Sequence, residues 1–111
     1  VNKQSLTAAA REHLALARAA SSGRSATTVY GGHEHVLRQT LIALRAGSGL
    51  DEHVGPGEAT LHVLAGRVRM ATADESWEGV TGDLLVVPEA SHTLEALEDS
   101  AVFLTVAKRL H

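Results

Sequence analysis

The chain has 111 residues, of which 44% are hydrophobic and 21% charged, with a formal net charge of −3. That length gives one domain with a core of its own, and without any Lys/Arg run the charge balance excludes a nucleic-acid backbone as the main partner. Cysteine is absent, which removes disulfides, thiolate nucleophiles and sulfur ligands, so a metal would need imidazole, carboxylate or water.

Ser5 is placed to cap a helix over Leu6 to Ala20, rich in Ala and Leu, and Ser21-Ser22-Gly23 ends it. Its apolar stripe is mostly alanine, so the helix is expected to pack on the main body rather than stand alone. Residues 1–24 read as this helix and a linker, and 25–111 as a β domain. From Thr27 onward, short Val/Leu/Thr-rich runs alternate with Gly, Pro or Asp. They predict strands at Thr27 to Tyr30, His35 to Leu44, Thr60 to Leu64, Arg67 to Thr72, Ser76 to Glu78, Leu84 to Val87, His92 to Leu97 and Val102 to Ala107. So many short strands at close intervals predict an all-β sandwich or barrel. Apolar runs such as Leu84 to Val87 are far short of a membrane span. No signal-like apolar stretch opens the sequence, and a cytoplasmic protein is expected.

Two spaced motifs carry a resemblance. Gly47 is followed after five residues by His53, and Gly66 closes that segment; Gly82 is followed after five residues by Pro88, and then by His92. In these positions the chain, from about Thr27 to Ala107, resembles the cupins, RmlC-like jelly-roll β-barrels. The resemblance implies a cupin-type jelly roll with a short N-terminal helix, and a pocket at the barrel mouth lined by His53 and His92. In metal-dependent cupins it would put three His and one Glu around an ion. Here Gly55 stands at the second His position and Ala59 at the Glu position, the Pro88-to-His92 turn is one residue short, and Ala96 replaces the usual Asn. His53 and His92 alone make a weak site for a divalent ion such as Zn, Fe, Mn or Ni, because such ions normally take at least three protein ligands.

Glu58 and His62 are the candidates to complete it. Strand alternation turns both away from the face of Ala59 and Leu61, although Pro56-Gly57 could bend the chain enough to bring Glu58 back. His33-Glu34-His35 has ligand spacing but follows Gly31-Gly32, and reads as a solvated turn. His13 and His111 have no recognisable partner. On the strand ending at Leu44, Arg38, Gln39 and Thr40 interrupt an apolar run, and Gln39 must face opposite to Arg38 and Thr40. Arg38 inside would select a carboxylate or phosphate, and Gln39 inside a neutral ligand. Arg67 and Arg69 share a face and are expected outside, and Trp77 reads as hairpin packing. No Gly-x-Ser-x-Gly elbow or phosphate-cradling glycine loop is present.

The sequence therefore predicts a homodimeric small-molecule binder with an incomplete metal site and a pocket drawn from His53, His92, Arg38, Gln39, Ala59 and Leu61. The alternative is a metal-dependent dioxygenase or isomerase acting on a small organic acid or sugar derivative. A module for protein interaction is a third class.

Overall fold

The computed structural model describes residues 1–53 and 57–108. Among them run one helix, α1 (Leu6–Ala19), and nine strands: β1 (Arg24–Tyr30), β2 (Leu37–Leu44), β3 (Gly49–His53), β4 (Gly57–Ala65), β5 (Arg67–Ala71), β6 (Ser76–Val80), β7 (Leu84–Val86), β8 (His92–Ala96) and β9 (Ser100–Lys108). Every pairing among them is antiparallel. One sheet has the order β1-β2-β9-β4-β7 and the other β3-β8-β5-β6. Their inner faces meet in a core that includes Ile42, Leu44, Val63 and Val102 from the first sheet, and Val68, Met70, Leu94 and Ala96 from the second. The jelly-roll expectation holds. No helix among the described residues is long and apolar enough to cross a membrane.

Ser5 caps α1 through its hydroxyl, which accepts from the Ala8 N–H at 3.1 Å. Leu6, Ala9, Ala10, His13, Leu14 and Ala17 recur at helical spacing and are its covered positions, with His13 Nδ1 2.7 Å from the Ser25 hydroxyl. The helix lies on the outer face of the five-stranded sheet, where Ala10 packs with Leu41 and Ala101, against Val29, Leu64 and Phe103. At its far end Arg45 donates to the carbonyls of Arg18 and Ala20 at 3.1 and 3.0 Å. A cation is thus placed on the negative end of the helix dipole.

Strand bounds differ from expectation in several places. β1 begins at Arg24 rather than Thr27, β2 at Leu37 rather than His35, and β3 was not expected at all. The motif glycines Gly47, Gly66 and Gly82 have φ of 87°, 94° and 93°, a region that side chains disfavour. At Gly66 a Cβ would also collide with the Asp99 carbonyl and the Ser100 hydroxyl. The first motif therefore ends where β4 turns into β5 against the chain that enters β9.

Candidate functional site

Cross-strand register builds the site. On the inner face of the five-stranded sheet, Arg38 pairs with Val106 and Val106 with Ala59, and the Val87 N–H donates to the Ala59 carbonyl at 3.0 Å. One row deeper lie Thr40, Leu104, Leu61 and Leu85, and deeper still Ile42, Val102 and Val63. Exposure falls along β2 in the same direction: Arg38 is half-buried, Ile42 is 8% exposed and Leu44 is closed off. From the other sheet Leu50, Met70, His92 and Leu94 face this wall. The two walls enclose a cavity of about 140 Å³ in which, among the described residues, Arg38 and His92 are the polar members, with Ala59, Leu61, Leu104 and Val106 among the apolar ones.

His92 is 4% exposed. Its Nδ1 lies 2.9 Å from the Ala90 carbonyl, which can only accept, so the Nδ1–H donates there. The β3–β8 register sets His53 directly opposite His92, so the backbone brings the two motif histidines together. The Arg38 side chain has neither an ion pair nor a hydrogen bond among the described residues. Other arginines are engaged: Arg18 pairs with Asp99, Arg67 with Glu78 and Glu98, and Arg69 with Glu78 and Glu95.

Several sequence candidates lie elsewhere. Gln39 is on the outer face, where its Nε2 donates to Thr105 Oγ1 at 3.3 Å; alternation from an inward Arg38 requires this, and Gln39 is removed from the pocket set. Glu58 and His62 share the register positions of the outer row, so neither is brought into the cavity. Glu58 and Glu89 instead line a larger, shallower outer groove of about 510 Å³ that meets the cavity at Ala59 and Val87. His33, Glu34 and His35 are exposed, and the His35 ring stands 5.1 Å from that of Tyr30. Arg67 and Arg69 are on the outer face, as expected. Trp77 pairs with Met70 in the β5–β6 hairpin. Gly55 lies outside the described residues, and so does His111. Among the described residues no three His, Asp or Glu side chains are grouped to hold a metal.

No family model matches the sequence, and neither does any curated protein. Solved structures do match the fold. A conserved protein of unknown function from Streptococcus pyogenes superposes with a TM-score of 0.73 at 24% identity, covering 83% of this chain and 80% of that one. A cupin superfamily protein from Desulfitobacterium hafniense gives 0.71 at 15% identity, covering 78% of each chain. The chain has the cupin fold. Salicylate 1,2-dioxygenase from Pseudoaminobacter salicylatoxidans, in complex with gentisate, also matches at a TM-score of 0.73 and 22% identity, with 91% of this chain covering 31% of that one. This cupin fold thus occurs both as a small protein and as part of a larger enzyme.

The residues present do not supply the metal quartet that the cupin resemblance implies. Ala59, at the Glu position, does face the cavity, but it brings a methyl group where a ligand needs a carboxylate. Position 55 is glycine and has no side chain to coordinate. Two imidazoles are left, fewer than the three protein ligands that a catalytic zinc site normally has.

Proposed function

We propose that this cupin-fold chain binds a small molecule in the barrel cavity between Arg38 and His92, without a firmly held metal, and does so as a homodimer. The observation that carries the reading is the lining itself. Among the described residues two polar side chains face an otherwise apolar cavity, the arrangement by which binding sites combine apolar contact with orientation. The two come from opposite walls of the cavity, Arg38 from β2 and His92 from β8. Fold alone decides nothing here, because one architecture hosts unrelated activities.

Elemental analysis and native mass spectrometry of freshly purified protein test the metal-free part. Well under one equivalent of Zn, Fe, Mn or Ni is expected per chain. Gly55→His with Ala59→Glu restores the quartet and raises occupancy toward one equivalent, and His53→Ala in that background lowers it again. Stoichiometric metal in the natural protein, retained through dialysis against a mild chelator, would overturn the reading in favour of the metal-dependent enzyme.

A further inference from the structure

We infer that the cavity selects a small monocarboxylate, with the carboxylate held by Arg38 and an apolar body no larger than about a benzene ring buried behind it. The inference rests on the binding-cavity reading above and adds the chemical class of the ligand.

Size comes first. The cavity measures about 140 Å³, and an apolar protein cavity of roughly 150 Å³ accepts benzene. Sugars and nucleotides are too large and too polar for it. The residues that line the cavity behind Arg38, Ile42, Leu61 and Leu104, are apolar, and Thr40 of the second row is not among them. A ligand's inner end must therefore be hydrocarbon, because a buried polar group without a partner is penalised.

Charge comes second. Arg38 is half-buried beside Val106 and Ala59, and among the described residues no carboxylate lines the cavity; Glu58 and Glu89 line the outer groove. A guanidinium partly withdrawn from water gains most from a planar anion that accepts two parallel N–H bonds. Ala59 occupies the position at which the cupin pattern would have a carboxylate of the chain's own, and it lies in Arg38's row, one strand beyond Val106. The chain supplies the cation and leaves the anion to the ligand. Position fixes the orientation: Arg38 stands in the row next to the outer groove, and exposure falls inward from it to Leu44. The carboxylate stays at the open end and the apolar body points into the barrel.

Isothermal titration calorimetry with benzoate, benzyl alcohol and inorganic phosphate tests this on the full chain. Benzoate should bind about 10- to 100-fold more tightly than benzyl alcohol, the range expected for a charge-assisted hydrogen-bonded pair. Arg38→Met should abolish that preference, bringing the two affinities within about threefold of each other. Arg38→Lys, which keeps the charge but not the fork, should retain part of the preference and serves if the methionine variant fails to fold. Ala59→Leu, which fills the cavity, should weaken both organic ligands.

Equal affinities for benzoate and benzyl alcohol would overturn the carboxylate class and leave the binding cavity standing. Phosphate binding as tightly as benzoate would also overturn it, since the site would then read charge alone. Failure of both organic ligands to bind at millimolar concentration, or binding that Ala59→Leu does not change, would overturn the cavity reading as well.

Discussion

Among single residues, Asp99 ties α1 and the turn after β2 to the chain that enters β9. Its Oδ1 accepts the Ala46 N–H at 2.8 Å and its Oδ2 accepts Arg18 Nε at 2.7 Å. The backbone donor, followed by the guanidinium, holds its carboxyl below the ordinary carboxylate value. A carboxylate depressed in the folded state contributes stability above its unfolded value, and that contribution is lost as pH falls through the folded one. Asp99→Asn keeps an acceptor for Ala46 but has no charge to titrate. Its urea midpoint should be slightly lower than wild type at neutral pH, and the two should converge on acidification. A constant gap across that range would remove Asp99 from the acid response. The effect is modest and salt-sensitive, since the pair is exposed. Nothing in the sequence marks Asp99, because its partners stand 81 and 53 residues away.

At the scale of elements, β2 shows why only part of the site was legible. An edge-to-core strand usually declares its inner face by alternation, but Leu37, Leu41 and Ala43 are as apolar as Ile42 and Leu44. Both faces of β2 are covered, one by the barrel core and one by α1, and a strand buried on both sides loses the period of two. Arg38 and Gln39 therefore could not be assigned a side until the helix was placed. β3 failed for the opposite reason: Gly49-Leu50-Asp51-Glu52-His53 has a single apolar side chain, and the strand is held by pairing with β8 at the sheet edge. The motif glycines and histidines were legible because turns and register impose them locally. The covered face makes a prediction. Leu41 is fully buried beneath α1, so Leu41→Ala should cost about 2–5 kcal/mol in urea unfolding. A cost below about 0.5 kcal/mol, typical of a surface site, would mean that the helix does not cover this face in solution.

On the scale of the whole molecule, docking of α1 on its own sheet changes the argument for a dimer. The weak stripe of the helix is satisfied within the chain, so it gives no reason to recruit a second copy. Of the end strands in the two sheets, β7 carries the most exposed large apolar side chains among the described residues. Leu84 and Val86 project from it, 61% and 78% exposed, on the same face as His62 and Thr60, with which they pair in register. Exposed apolar side chains on an unpaired edge invite pairing with another chain, and charged residues are the usual protection. Leu84-Leu85-Val86 has none. A two-fold arrangement would bring two β7 edges together and bury the same patch on both copies, with roughly 800 Å² per partner needed for a stable interface. Light scattering at micromolar concentration should give twice the 11.7 kDa chain mass. Leu84→Lys with Val86→Lys should give a monomer that keeps its circular dichroism, because both side chains point away from the barrel interior. A wild-type monomer would remove the dimer from the proposal, and a lysine variant that stays dimeric would move the interface to another edge.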